Sequence, residues 1–369
     1  MSFRRISIIG LGLIGGSLGM ALCRTNQQLR VVGYDLSART CQEALERRAV
    51  HEIAASLPAA VAEADLVILA VPVEKVRNVV EEAAPYLRPG TIVTDVASVK
   101  GILSHSIPAY LPAGVYYIGG HPMTGAEQSG IWAADPFLFQ NAVYLLTPEA
   151  DLPPDVATKL RTLISMIGGL PLLLKPEEHD LMVAVVSHLP HLTAAALVNV
   201  AARFEADYPG TLSLAAGGFR DTTRVALGSP ELWRQIFSAN RSALLKVVKE
   251  LASELQEFYR QLESGEMVAV EERLREAAVV RSELPTHHKG FLTLLHELVV
   301  VIEDRPGMIA EVTGLLKEIN IKDIEILRVR EGEGGTLRLA FNDEQALTQA
   351  VELLRANGFV ARVRGGKGR

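Results

Sequence analysis

From Arg5 to about Pro148, short apolar runs rich in β-branched residues alternate with segments whose apolar positions recur at helical spacing. The runs are Ile6 to Ile9, Arg30 to Tyr34, Leu66 to Val71, Thr91 to Thr94, Val115 to Ile118 and Ala142 to Leu146. They are near-continuous rather than alternating, the pattern of strands covered by helices on both faces. Residues 1–172 therefore read as a doubly wound α/β domain on a parallel sheet. Past Leu174 the strand signals stop. Helical periodicity runs from Glu177 to about Ala206, and again from Glu231 through a charged, heptad-like stretch ending near Leu284. Helices this long bury their apolar stripes against one another or against a second copy of the chain. Residues 173–285 thus read as an all-helical dimerisation domain of a homodimer, with packing inside one chain as the alternative.

A polar break from Pro285 to Gly290 precedes a last segment, residues 291–366. It reads β (Leu292 to Ile302), α (Pro306 to Ile319), β (Ile321 to Arg330), a turn at Gly332, Gly334 and Gly335, β (Thr336 to Phe341), α (Asp343 to Asn357) and β (Phe359 to Val363). This βαββαβ order is that of a ferredoxin-like unit.

Composition narrows the partners. The chain has 369 residues, 49% hydrophobic and 22% charged, which excludes long disorder and low-complexity scaffolding. A net charge of −6 leaves no footprint for nucleic acid or an anionic membrane, so any anionic ligand must be met by local positive charge. Two cysteines, Cys23 and Cys41, are too few for a disulfide framework and lack metal-site spacing, so a reducing cytoplasm is expected. Arg4 and Arg5 ahead of the apolar stretch Ile6 to Leu22 have the outline of a signal peptide, but Gly10, Gly12, Gly15, Gly16 and Gly19 interrupt it.

Those glycines carry chemistry. Gly10-Leu11-Gly12-Leu13-Ile14-Gly15 follows the first strand and opens a helix. Gly10 permits a tight turn, Gly12 lets the backbone approach a pyrophosphate, and Gly15 allows close packing of helix on strand. The helix start at Leu13 and Ile14 offers free N–H groups. Asp35 ends the second strand about 20 residues on, where a carboxylate accepts hydrogen bonds from the adenosine ribose hydroxyls. A Rossmann-type domain binding NAD is the reading, and a glycine turn that only packs is the alternative. The acid at Asp35 disfavours the 2′-phosphate of NADP, while Arg39 nearby pulls the other way.

Loops after the fourth and fifth clear strands contain Ser98, in Asp95-Val-Ala-Ser98-Val-Lys100, and His121, in Gly119-Gly120-His121-Pro122-Met123-Thr124-Gly125. Loops at the carboxyl ends of parallel strands face the ligand crevice, which places Ser98 and His121 for chemistry. In the first long helix, Ser187, His188 and His191 share one sector, and Pro190 predicts a kink there. A polar pocket is one reading; histidines satisfied by backbone carbonyls are the other. No carboxylate or cysteine stands at ligand spacing, so no metal is expected. In Gly217-Gly218-Phe219-Arg220-Asp221-Thr222-Thr223-Arg224, Arg224 can clamp a carboxylate with Asp221 holding the guanidinium, or the two form a structural pair. Ser229-Pro230 starts a helix with Trp233 in its first turn.

Together these segments resemble the prephenate dehydrogenases of tyrosine biosynthesis, in the form with a C-terminal ACT domain. The resemblance rests on GLGLIGGS from Gly10 to Ser17, DVASVK ending at Lys100, HPMTGAEQSG from His121 to Gly130, SHLPH from Ser187 to His191, FRDTTR from Phe219 to Arg224 with Trp233 beyond, and Asp304-Arg-Pro306-Gly307. It implies oxidative decarboxylation of prephenate to 4-hydroxyphenylpyruvate with reduction of NAD. It also implies roles: His121 accepts a hydrogen bond from the C4 hydroxyl, Ser98 orients it or shares that bond, and Arg224 binds a substrate carboxylate with support from Asp221. His191 and Ser187 meet the pyruvyl side chain, and Trp233 lines the pocket of its own or of the neighbouring subunit. Glu127 is the polar group beside Ala126, where relatives often carry a hydroxyl. A histidine that must be neutral makes kcat/KM rise through a pKa near ~6.5. In the ACT-like module, Asp304, Gly307 and Lys322 form an amino-acid site for feedback by L-tyrosine; a dimerisation module is the alternative. Arogenate is the nearest alternative substrate, as for a cyclohexadienyl dehydrogenase, and a non-catalytic amino-acid-sensing protein is the alternative of another class. A β-hydroxyacid dehydrogenase is expected to carry a lysine where this chain has SHLPH.

Overall fold

A computed structural model describes residues 3–25, 28–125, 128–283, 296–303, 305–330 and 334–364. Two of the expected site residues, Glu127 and Asp304, lie outside them. The chain divides into two compact units, residues 1–290 and 291–369.

The first unit is built on eight strands: β1 (Arg5–Ile9), β2 (Arg30–Tyr34), β3 (Glu52–Ile53), β4 (Leu66–Leu69), β5 (Ile92–Asp95), β6 (Tyr116–Pro122), β7 (Val143–Pro148) and β8 (Leu170–Leu173). Their order across the sheet is β3-β2-β1-β4-β5-β6-β7-β8. Strand order reverses between β1 and β4, and a crevice opens at the carboxyl ends of the strands at such a switch point. Alternate residues of one strand face opposite cores. Ile6, Ile8, Ile68 and Ile92 enter one buried cluster, and Ile9, Val67, Leu69 and Val93 enter the other. Burial on both faces is why these strands read as unbroken apolar runs. The expected all-parallel sheet needs one correction, because β6 and β7 pair antiparallel.

The glycine loop turns as its sequence requires. Gly10 has φ +93°, and a Cβ there would lie 2.4 Å from the Ala70 carbonyl oxygen. The helix Leu13–Cys23 then packs tightly, since a Cβ on Gly15 would fall 2.0 Å from the Gly10 carbonyl oxygen.

Beyond β8 the unit is helical. Pro176–Val183 runs into Leu189–Asp207 through a π-helical turn, Ala184–His188. Pro190 has no N–H for the preceding turn, which accounts for the widened turn just ahead of it. The expected continuous stretch from Glu231 is three helices, Pro230–Ala239, Arg241–Ser264 and Met267–Glu283. Gly265, at φ +75°, ends the second in a left-handed cap. Among the described residues, one helix, Pro176–Asp207, is long and apolar enough to cross a membrane by length and composition.

The second unit has β9 (His296–Ile302), β10 (Asp323–Arg330), β11 (Gly334–Phe341) and β12 (Ala361–Arg364), all antiparallel in the order β10-β11-β9-β12. Helices Met308–Leu315 and Glu344–Ala356 lend Met308, Val312, Leu347 and Leu354 to a core with Leu298, Val300, Leu337 and Phe341. The expected βαββαβ order is therefore the observed one. On the sheet, Arg338 is fully buried and bonds Glu297 and Glu325, at 2.8 and 2.9 Å, and Asp323.

Candidate active site

A cavity of about 1120 Å³ opens where the strand order reverses. Gly12, Leu13 and Ile14 form one wall, Ala70 to Val73 and Val96 to Val99 the next, and Gly125 with Gln128 to Gly130 another. The helical region closes it with His191, Arg224 and Trp233. The nucleotide loop, Ser98 and Arg224 therefore face one space.

The loop fits a pyrophosphate. No side chain caps the helix at Leu13 and no acid stands in its first turn, so its free N–H groups and positive dipole end meet the cavity unopposed. Among the described residues, nothing lies within 4 Å of the place a Gly12 Cβ would occupy. Asp35 accepts the Leu11 N–H at 2.8 Å and the Ser37 N–H at 2.9 Å, so it shapes the loop as well as ending β2. Each carboxylate oxygen keeps a lone pair for a ribose hydroxyl. Arg39 is engaged elsewhere, in a 2.8 Å ion pair with Glu43.

Behind Ser98 lies a buried ion pair. Lys100 is 0% exposed, bonded to Asp95 and, at 2.7 Å, to the Gly120 carbonyl. Asp95 also accepts from Tyr117 Oη at 2.6 Å and the Ala97 N–H at 2.8 Å. Burial pulls the Lys100 pKa down, and the Asp95 carboxylate pulls it back up. The pair ties the loop after β5 to β6 just ahead of His121.

His121 is 8% exposed and is not among the residues that wall the cavity. Its Nδ1 lies 2.9 Å from Nε2 of His179, whose Nδ1 lies 2.9 Å from Asp180 Oδ1. Asp180 also accepts the Lys100 N–H at 2.7 Å and the Gly101 N–H at 2.9 Å. Burial holds His121 well below the ordinary histidine pKa, and His179, Lys100 and His188 reinforce the shift. This corrects the expected titration near ~6.5 downward. His179 is lowered by burial, against the opposing bond to Asp180. Burial of Asp180 favours its acid form, but bonds from His179, Lys100 and Gly101 outweigh it and keep its pKa low. His188 is pushed down to about 4, chiefly by burial. Its Nδ1 lies 3.2 Å from Asn240 Nδ2, which also donates to the Asp180 carbonyl at 2.7 Å.

His191 stacks on Trp233 with ring centroids 3.7 Å apart, and its buried Nδ1 has no hydrogen-bond partner among the described residues. Ser187 sits half-buried in the π-helical turn and is not part of the cavity wall. Asp221 is exposed, and among the described residues no ion pair joins it to Arg224. Support of Arg224 by Asp221 is not seen among the described residues: Arg224 leaves the helix Gly217–Thr223 in a tighter turn, so helical spacing no longer sets the distance between them. Reading the residues one by one also misses His179, Asp180 and Asn240. The available signal was a histidine beside an aspartate in the first turns of the helix Pro176–Val183.

A doubly wound sheet with a glycine loop opening into a helix-closed cavity is the architecture of a dinucleotide-binding oxidoreductase. Residues 18–170 match the family described as prephenate dehydrogenase, nucleotide-binding domain, and residues 175–276 match prephenate dehydrogenase, dimerization domain. The chain belongs to the prephenate dehydrogenase family. It is 34% identical to the prephenate dehydrogenase of Bacillus subtilis over 95% of both chains. The arogenate dehydrogenase of Synechocystis superposes with a TM-score of 0.68 at 33% identity, covering 76% of this chain and all of its own. Prephenate dehydrogenase of Aquifex aeolicus, solved with hydroxyphenyl propionate and NAD+, gives 0.70 at 28% identity, covering 77% of this chain and 99% of its own.

Proposed function

We propose that the protein is an NAD-dependent prephenate dehydrogenase of tyrosine biosynthesis, converting prephenate to 4-hydroxyphenylpyruvate and carbon dioxide. One observation carries the reading: a single cavity joins the nucleotide loop at Gly12 to Ile14 with Ser98, His191 and Arg224. Family membership and the NAD+ bound by the Aquifex relative support it.

NAD+, when bound, supplies the hydride acceptor. Neutral His121 takes the proton from the C4 hydroxyl as the hydride leaves C4, and Ser98 orients that hydroxyl. Arg224 pairs with a substrate carboxylate, while His191 against Trp233 meets the pyruvyl side chain. Once C4 is a carbonyl, the C1–carboxylate bond breaks and its electron pair runs through the dienone to the C4 oxygen. That oxygen recovers the proton from His121, the ring becomes a phenol, and no net proton is released.

Asp221, Ser187 and Glu127 stay with the substrate as peripheral contacts in this reading. The exposed apolar side chains Val186, Leu197, Val200 and Phe204 on the helix Pro176–Asp207 are assigned to a homodimer contact rather than a membrane. The match of residues 175–276 to a dimerization family supports that assignment, and the enzyme is read as cytoplasmic. The second unit is read as an ACT module that binds L-tyrosine. Its helix Met308–Leu315 starts after Gly307, at φ +90°, with Lys322 at the entry to β10; Asp304, outside the described residues, is assigned as the acid. Arogenate is the second reading of the substrate, favoured by the Synechocystis relative. Initial rates with prephenate and arogenate, each with NAD+ and NADP+ and with or without tyrosine, test the substrate, cofactor and effector assignments. Prephenate with NAD+ is the expected best pair, and a rate seen only with arogenate replaces the substrate assignment.

A further inference from the structure

We propose that His179 and Asp180 are positioning residues that fix His121 as its Nδ1–H tautomer, leaving Nε2 to accept the proton of the C4 hydroxyl. The inference rests on the function proposed above. Direction along the chain follows from its last member. Asp180 accepts the Lys100 N–H at Oδ1 and the Gly101 N–H at Oδ2, as an ionised carboxylate does. Oδ1 also lies 2.9 Å from His179 Nδ1, so that nitrogen carries the hydrogen. The other nitrogen of neutral His179, Nε2, is then a bare acceptor 2.9 Å from His121 Nδ1. That makes His121 Nδ1 the donor and His121 Nε2 the free base.

The same geometry answers the charge that forms. As C4 loses the C–H electron pair as hydride, the O–H proton moves to His121 Nε2 and a buried imidazolium appears. Asp180 is the nearest anion along the hydrogen-bonded path, and Lys100, which adjoins the chain, is already neutralised by Asp95. The proton returns to the C4 oxygen when carbon dioxide leaves, so the chain need hold charge only between the two steps. Lys100 and His188 act electrostatically on His121, and Lys100 and Asp95 on His179. Asp180 also borders a second cavity of about 740 Å³ with His105, Glu177, Glu178 and Lys246.

Two measurements test the proposal. The first follows kcat and KM against pH with prephenate and NAD+ for wild type, Asp180→Asn, His179→Leu and His179→Gln. Asp180→Asn and His179→Leu are expected to lower kcat about 10²-fold with prephenate KM changed less than about threefold. The acidic limb of kcat/KM should move to lower pH in Asp180→Asn, because the anion that favours the imidazolium is gone. His179→Gln should recover part of the rate, since its amide can donate to Asp180 and accept from His121. Retained kcat, an unmoved limb, or a leucine as good as a glutamine overturns the proposal. The second measurement needs no variant: ¹⁵N NMR of histidine-labelled wild type should find both His121 and His179 protonated at Nδ1, and an Nε2–H tautomer at either overturns it. Because that spectrum involves no substrate, an inactive wild type with these tautomers refutes the assigned function and leaves the chain standing.

Discussion

The imidazole of His191 lies flat on the indole of Trp233, centroids 3.7 Å apart and planes 15° from parallel. Gly228 leaves the room for this stack, since a Cβ there would meet Trp233 Nε1 at 2.7 Å and His191 Cε1 at 3.1 Å. Gly228→Ala is therefore expected to displace both rings and raise the prephenate KM about tenfold, the effect of losing roughly one good contact. NAD+ affinity should be unaffected. Titration calorimetry for the cofactor beside steady-state kinetics separates the two, and an unchanged KM contradicts a substrate role for the stack.

Gly12 and Gly15 are separable by the same logic. A Cβ at Gly12 meets open cavity, whereas one at Gly15 meets the Gly10 carbonyl oxygen at 2.0 Å. Gly12→Val should fold with an unchanged Tm and lose NAD+ binding; Gly15→Val should lose stability, by about 1 to 3 kcal/mol. Thermal melts with and without NAD+ check this, and a Gly12→Val protein that binds NAD+ normally contradicts the assignment of the loop.

Much of this architecture was legible because it is local. Near-continuous apolar runs named six of the eight strands, and the spacing from Gly10 to Gly15 with Asp35 beyond named the cofactor loop. What escaped was short or non-local. β3 has only two residues, and β8 carries Pro171 at the sheet edge, where its missing N–H is tolerated. The antiparallel turn of β7 depends on the long loop before it. His179 reaches His121 from 58 residues away, a pairing that helical or strand periodicity cannot register. The Asp221–Arg224 pair that helical spacing predicts is not seen among the described residues, because the helix ends at Thr223 and Arg224 begins a tighter turn.

Lys100 was legible as part of a motif but not as the buried cation that anchors it. Replacing it with Met leaves the fully buried Asp95 without its cation, with Tyr117 and the Ala97 N–H as its remaining partners among the described residues. Lys100→Met should cost about 3 to 5 kcal/mol of stability, the usual result of orphaning one partner of a buried pair. Urea unfolding measures it, and a loss below about 1 kcal/mol contradicts the pairing.

Acid should weaken the fold before the carboxylates titrate. His188 is held at about 4 in the folded chain and returns to the ordinary value of about 6.5 on unfolding. Between those values the unfolded chain binds more protons, so stability rises with pH and is lost as pH falls from about 6.5 toward 4. His188 alone accounts for a loss on the order of 3 kcal/mol over that window, and His121 and His179, shifted in the same direction, add to it. Chemical denaturation at a series of pH values checks the slope. Stability that is flat from pH about 7 to 5 contradicts the neutral, buried state of these rings.

The assignment of His121 as the base for the C4 hydroxyl is tested most directly by NADH formation from prephenate and NAD+ in wild type and His121→Asn. The wild type should form NADH with an acidic limb below pH ~6.5, and the variant should be slower by about 10² to 10⁴-fold while binding NAD+ normally. Equal rates in the two proteins, or no NADH from prephenate in the wild type, contradict it.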